Sequence, residues 1–253
     1  MMNRAFYACA IVPVYNHEEP VVRVAHRLKS FGLLVILVDD GSTDSCAACL
    51  DQLATESGIT LRRHTHNKGK GGAVKTGLAC AAELGFTHAL QVDADGQHDL
   101  DDVPHMLAAA QAAPTAMICG QPIFDASIPM LRRLSRYLTH GLVAINSLSG
   151  KMYDAMCGFR VYPVDTMVRI VTEERTGNRM DFDPEILVYW SWRKLPVVTI
   201  DTRVRYPEDG QSHFRMLLDN WFITRMHIRL FLKMLWRLTG LQGRLARNIH
   251  EGS

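Results

Sequence analysis

The chain is predicted to adopt an α/β fold, a Rossmann-like, mostly parallel sheet flanked by helices, on two observations. Residues 6–14 and 33–38 are short, near-continuous apolar runs closed by polar turns, as strands buried on both faces are. Helical patterns alternate with such runs, which calls for parallel strands joined by right-handed crossovers. Taken in order, residues 21–31, 45–53, 73–83 and 103–112 read as helices, with strands near Thr60, Ala89 and Ala116 between them. This half spans about residues 5–121. The second half, 122–214, changes character: a helix over 128–148, a short strand over 159–162, a helix over 184–192 and a strand over 197–204. No internal repeat or low-complexity linker separates the halves, so residues 1–214 are expected to form one domain. A basic amphipathic helical segment is expected over 215–253.

Bulk composition narrows the function classes. At 253 residues and 47% hydrophobic, the chain has enough apolar content for one large core. A net charge of +2 gives no reason to expect a nucleic-acid partner, but the charge is uneven: residues 203–247 hold nine Lys/Arg against three Asp/Glu. Six cysteines fall mostly inside predicted elements and no secretory pattern precedes the first strand, so a reducing cytosol without disulfides is expected. Cys46 and Cys49 form a CxxC with no second pair at zinc-site spacing, which favours helix packing. No run approaches the roughly 18 apolar residues of a spanning helix. Peripheral attachment to a membrane stays compatible with that.

In a doubly wound sheet the carboxyl ends of the strands share one edge, where ligands bind. Three such ends are unusually polar: Pro13-Val14-Tyr15-Asn16-His17-Glu18, Val38-Asp39-Asp40-Gly41-Ser42-Thr43-Asp44, and Val92-Asp93-Ala94-Asp95-Gly96-Gln97-His98. The last spaces two carboxylates and an amide by one residue. Few, hard oxygen ligands favour Mg2+ or Mn2+ shared with a substrate diphosphate. A turn with a helix-capping Asp would use the same residues. At the second corner, Asp39 and Asp40 offer acceptors to a nucleobase or ribose, with Ser42 or Thr43 as a helix cap. Asn67-Lys68-Gly69-Lys70-Gly71-Gly72 opens the helix at Ala73 with glycines and cations that favour phosphate, yet it is neither a P-loop nor GxGxxG.

Together these corners resemble the family 2 glycosyltransferases of GT-A fold, and within them the dolichyl-phosphate mannose synthase-like, polyprenyl-phosphate branch. The resemblance runs through PVYNHE, VDDGSTD, NKGKGGAVKTG and DADGQH, then DAMCGFRVYP, FDPEI and DGQSHF, over about residues 10–232. It implies a metal-dependent, inverting transfer of a sugar from a UDP- or GDP-linked donor. Donor contacts would come from Pro13, Tyr15, Asn16, Asp40, Lys70, Asp93, Ala94 and Asp95, and the metal would sit on Asp95 and Gln97. Glu18 stands one position later than the Glu of the family's first motif. A lipid phosphate acceptor is already an anion and needs cations to position it: Arg132, Arg133, Arg136 and Lys151 lie in a stretch without Asp or Glu, and Arg160 follows in CGFR. His213 stands where the branch has Lys or Arg, so its phosphate contact is expected to be weaker and pH-sensitive.

A hydroxyl acceptor would instead need a general base, for which the resemblance offers Asp183 first and Glu185 second; Asp183, just before Pro184, also suits a helix N-cap. The expected function is therefore transfer to a lipid-linked, polyprenyl-phosphate-like acceptor. The alternatives are a hydroxyl acceptor on a glycolipid or saccharide, a nucleotide-sugar-binding protein without turnover, and a nucleotidyltransferase. Between Arg215 and Arg237, apolar residues interleave with cations, a pattern suited to lying on an anionic membrane surface or packing on the domain. The expected location is cytoplasmic, peripheral to the inner face of the cell membrane.

Overall fold

The computed structural model describes residues 5–123, 130–149, 153–204 and 216–239, the side chains of 130–137 and 216–218 excepted. The chain runs β1 (Ala8–Val14), α1 (Glu18–Ser30), β2 (Leu34–Asp39), α2 (Asp44–Ala54), β3 (Ile59–Arg63), α3 (Lys70–Glu83) and β4 (His88–Gln91). A 3-10 turn (Leu100–Asp102), α4 (Val103–Ala112) and β5 (Met117–Ile123) follow. Then come α5 (Met130–Ser147), β6 (Arg160–Pro163), α6 (Val164–Glu173), α7 (Phe182–Trp192), β7 (Val197–Arg203) and α8 (Met216–Leu238). The helix α6 is absent from the sequence expectation. It starts directly after β6, where Pro163 closes the strand and Val164 donates its N–H to the Thr87 carbonyl, so a long-range bond marks the boundary rather than a turn signal.

The seven strands form one sheet in the order β3-β2-β1-β4-β6-β5-β7. The expectation of a mostly parallel sheet holds. Only β6 runs against its neighbours, pairing antiparallel with β4 (Gln91 opposite Arg160) and with β5 (Cys119 opposite Arg160). Central strands are buried on both faces, which is why they read as apolar runs. Cys9 and Ile11 of β1 enter the layer with α3, α6 and α7; Ala10, Val12 and Val14 enter the opposite layer with α1, α2 and α4.

The helix α7 is buried from Phe182 through Trp190, so it is a core helix with two carboxylates, Asp183 and Glu185, inside the protein. It packs against α5 and α8. On α8 the inward face is Ile223, Met226, Leu230 and Met234. Two cations expected to face an anionic surface turn inward instead: Arg229 pairs with Glu185, and Lys233 with Glu174. Buried carboxylates require counter-charge, and α8 supplies it. The outward face is largely apolar, with Trp221, Ile228, Phe231, Leu232, Leu235 and Trp236 exposed beside Leu138 and Ile145 of α5, and with Arg225 and Arg237 exposed among them. Among the described residues, no helix is long and apolar enough to cross a membrane.

Candidate active site

The three polar strand ends do meet at one edge of the sheet, joined by side-chain bonds. Asn16 adopts a left-handed backbone (φ 55°), a conformation Asn tolerates better than most residues, and its Oδ1 accepts the Thr43 N–H at 2.8 Å. The Ser42 hydroxyl accepts the Asn16 N–H at 3.2 Å. The cap of α2 therefore comes from the first corner, and not from the side chains of Ser42 or Thr43. Pro13, beside Val38 in the sheet, and half-buried Tyr15 flank this junction.

Both carboxylates of the second corner are engaged. Asp39 receives the Ser42 N–H at 2.9 Å and Arg63 Nε at 2.7 Å. Asp40 accepts the backbone N–H groups of Lys68 (2.8 Å) and Gly69 (2.7 Å) and faces His64 Nδ1 at 2.7 Å. Three partners leave Asp40 one free lone-pair direction, so its first action is to pin the basic loop against β2. Gly69 has φ 95°, and a Cβ there would lie 2.5 Å from the Asn178 carbonyl oxygen; the loop is held from the other side by that segment.

The pinned loop delivers Lys70, first residue of α3, into the third corner. Its ammonium lies 2.7 Å from Asp93 Oδ1 and 3.2 Å from Asp183 Oδ2. Burial alone would depress the Lys70 pKa, but Asp183 and Asp93 outweigh it and hold the ammonium above its ordinary range. Asp93 moves the other way: burial opposes its ionisation, and Lys70 and His98 hold it well below the usual carboxylate range. For Asp95 burial and then the Asp93 charge push the carboxyl up, outweighing the Gln97 N–H, which donates to Oδ1 at 3.0 Å, and the more distant pull of His98 and Lys70. Ala94 is buried between them.

An acidic side chain that resists ionisation beside a second carboxylate is suited to a cation, and Asp95 with the Gln97 amide oxygen is a fitting hard-oxygen donor set for Mg2+ or Mn2+. Among the described residues, no group of three or more His, Cys, Asp and Glu could hold a metal by itself. Further oxygens would have to come from the diphosphate of a donor.

On the far side of Lys70, Asp183 is buried within the first turn of α7. It is not the N-cap: α7 begins at Phe182, and Asp181 precedes it, accepting the Arg179 N–H. The Asp183 side chain is thereby free to reach Lys70. Gln91 Nε2 donates to Asp183 Oδ1 at 3.2 Å, and Tyr162 donates its hydroxyl to Gln91 Oε1 at 3.1 Å. Two expectations are corrected here. Glu185 is fully buried, accepting the Gly177 N–H and Arg229, so it is a docking point for α8 and not a base at the site. Arg160 is likewise fully buried and donates to the carbonyls of Asp183, Ala155 and Asp154; it holds the Asp183 backbone and is not open to an acceptor.

The side chains of Arg132, Arg133 and Arg136, and all of Lys151 and His213, lie outside the described residues. The sequence reading missed Gln91, an amide inside an apolar strand, and Gly158. A Cβ at Gly158 would lie 2.3 Å from Lys70 Nζ and 3.0 Å from Asp93 Oδ1, so the CGFR glycine makes room for the ion pair. His98 was also missed: it stacks on Phe159 with Nε2 3.4 Å from Asp93.

A mostly parallel sheet flanked by helices, with Asp93, Asp95, Lys70 and Asp183 gathered at its carboxyl edge, is the architecture of the GT-A glycosyltransferases. Residues 9–167 match the model of glycosyl transferase family 2, and the chain belongs to that family. It is 28% identical over 218 residues to a UDP-N-acetylglucosamine–dolichyl-phosphate N-acetylglucosaminyltransferase of Methanococcus voltae, covering 78% of this chain and 85% of that one. A dolichyl-phosphate beta-glucosyltransferase of Dictyostelium discoideum is 28% identical over 262 residues, 92% of this chain and 77% of the relative. Among solved structures, glucosyl-3-phosphoglycerate synthase of Mycobacterium tuberculosis, in complex with Mn2+, UDP-glucose and phosphoglyceric acid, superposes with a TM-score of 0.64. That match covers 91% of this chain and 80% of the other at 16% identity, which speaks to the fold.

Proposed function

We propose that this glycosyltransferase moves a sugar from a nucleoside-diphosphate donor to a polyprenyl-phosphate-like lipid acceptor, with inversion, at the surface of a cytoplasmic membrane. The observation that carries the reading is the convergence of Asp93, Asp95, Lys70 and Asp183 on one sheet edge. Asp95 and Gln97 would hold the Mg2+ or Mn2+, which when bound offsets the charge gathering on the leaving diphosphate. Lys70 would turn to the same phosphates, while the Gly72 N–H at the start of α3 is already given to the Asn178 carbonyl; Asp93, kept ionised, is available to the sugar hydroxyls or ribose. Asp40 fixes the loop that delivers Lys70 and keeps one acceptor direction for the nucleoside; Pro13, Tyr15 and Asn16 line the same corner.

In the reaction the acceptor oxygen attacks the anomeric carbon, the bond to the donor phosphate breaks, and a nucleoside diphosphate leaves. A phosphate acceptor needs no deprotonation, which suits a site whose acceptor-side carboxylate is already engaged by Lys70 and Gln91. Arg132 and Arg136 are the proposed phosphate contacts on that side, joined by His213. Two relatives named for dolichyl phosphate support a lipid acceptor, and so does the exposed apolar face of α5 and α8, which suits contact with a lipid surface. A hydroxyl acceptor is the second reading, favoured by the placement of Asp183 Oδ2 at the cluster, where it could take a proton.

The test is nucleoside diphosphate release with Mn2+ or Mg2+ across UDP- and GDP-sugars, with and without polyprenyl phosphate. Release stimulated by the lipid phosphate and lost by about 10²-fold or more in Asp95→Ala is expected. Stimulation by saccharide hydroxyls alone, abolished in Asp183→Asn, would replace the lipid-phosphate reading.

A further inference from the structure

The Lys70 ammonium occupies the position between Asp93 and Asp183 that a second positive charge at this site would also seek. It is 2.7 Å from one carboxylate and 3.2 Å from the other, and packed against Gly158 so closely that a single added methyl would displace it. Among the described residues the neighbouring Asp95 has no ion pair of its own, and the nearest installed ammonium is the one held by Asp93. A divalent ion approaching Asp95 therefore meets the field of a cation already installed on Asp93, two residues away in the same corner. Lys70 is also the first residue of α3 and carries its charge on a long flexible side chain that can re-aim. A diphosphate offers the ammonium a different anionic partner. Once it turns to the phosphate, Asp93 and Asp95 regain unbalanced negative charge in the place where the phosphate oxygens complete a metal's ligands.

We infer that Lys70 is a placeholder cation that makes metal binding conditional on nucleotide binding, an inference that rests on the donor-plus-metal reading above. Metal and donor then bind as a coupled pair, and by linkage each raises the affinity of the other by the same factor. The carboxylate cluster stays neutralised enough to remain folded while empty, and free divalent ions do not fill it in advance. Gly158 is a structural condition for this arrangement, since a Cβ there would lie 2.3 Å from the ammonium.

The experiment measures Mn2+ binding, by the electron paramagnetic resonance of free Mn2+ and by calorimetry. Wild type, Lys70→Met and Lys70→Gln are compared without nucleotide, with UDP and with GDP, and thermal melts confirm that each variant is folded. Wild type should bind Mn2+ weakly alone and about tenfold or more tightly with the matching nucleoside diphosphate. Removing the ammonium should tighten nucleotide-free Mn2+ binding about tenfold and shrink the gain from nucleotide, as expected when a like charge in the same corner is deleted. Should Met fail to fold, Gln, which retains a polar head, reads the same quantity. If nucleotide recruits Mn2+ to wild type but neither variant binds it more tightly alone, Lys70 is not the placeholder and the donor reading stands. If wild type binds Mn2+ with neither nucleotide, the donor-plus-metal reading falls and the inference with it.

Discussion

The carboxyl edge of the sheet and the outer face of α5 and α8 distribute charge in opposite ways. At the sheet edge, carboxylates are gathered: Asp93 and Asp183 share one close ammonium with Asp95 beside them, and loops are pinned so that the charges cannot drift apart. On α8, part of the charge is withdrawn from the surface: Arg229 and Lys233 turn in to Glu185 and Glu174, and tryptophans and aliphatic side chains are left outside with Arg225 and Arg237. The same helix, α7, serves both regions. Asp183 at its start looks toward the site, and Glu185, two residues on, looks toward α8. Two carboxylates nearly adjacent in sequence thus have unrelated tasks, and helical geometry, which turns residues two apart onto different faces, is the reason.

The comparison can be broken most severely at the sheet edge. Gly158→Val should displace Lys70 and lower sugar transfer about a hundredfold, because misplacement of about 1 Å in a reactive constellation costs on that order; steady-state kinetics on folded protein checks it, and near-normal turnover would detach Lys70 from the site. Next in size is Glu185→Gln, which leaves Arg229 without its anion. About 2–3 kcal/mol of stability should be lost by denaturant unfolding, while turnover per folded molecule stays within a factor of about two if Glu185 has no chemical role.

On the outer face, Phe231→Ser with Trp236→Ser should weaken binding to anionic lipid vesicles about tenfold or more, from the apolar area withdrawn. Transfer to a short, water-soluble acceptor should be unchanged. Vesicle binding equal to wild type would turn attention to a protein partner for that face.

The smallest effect concerns His227, whose Nδ1 faces Asn146 Nδ2 at the junction of α5 and α8. Burial disfavours the imidazolium and lowers its pKa from 6.5 to about 4. A depressed folded-state pKa means stability that is full above pH 6.5 and is lost as pH falls toward 4. The loss should be about 1 kcal/mol at pH 5.5. Melts of wild type and His227→Gln between pH 7.5 and 5.5 should diverge by that amount, with the variant showing the flatter profile.

What could be read from the residues was whatever depends on local pattern. β1 and β2 announce themselves as apolar runs because both their faces are covered, and the DADGQH corner is recognisable because oxygen ligands at one-residue spacing follow a strand. The direction of β6 could not be read, since four residues of extended chain carry no mark of which neighbour they will pair with. Nor could the burial of Arg160, whose partners are backbone carbonyls supplied by its own loop and by Asp183. The inward turn of Arg229 and Lys233 was hidden for the same reason: interleaved cations and apolar residues specify an amphipathic helix, but which cations are claimed depends on carboxylates more than forty residues away in sequence. Asp183 and Glu185 were both visible as acids, and only the start of α7 at Phe182 assigns them to different faces.

The reversed strand β6 also dictates when the molecule can be finished. During synthesis β4 emerges with its outer edge unpaired, and nothing in the next stretch of chain closes it: β5, the following strand, lies one place further out. The gap stays open until residues 160–163 leave the ribosome and slide between the two. Until then the nascent protein carries an exposed strand edge and a Gln91 without Tyr162, so the first half of the chain cannot mature ahead of the second. Both must be translated before either is complete.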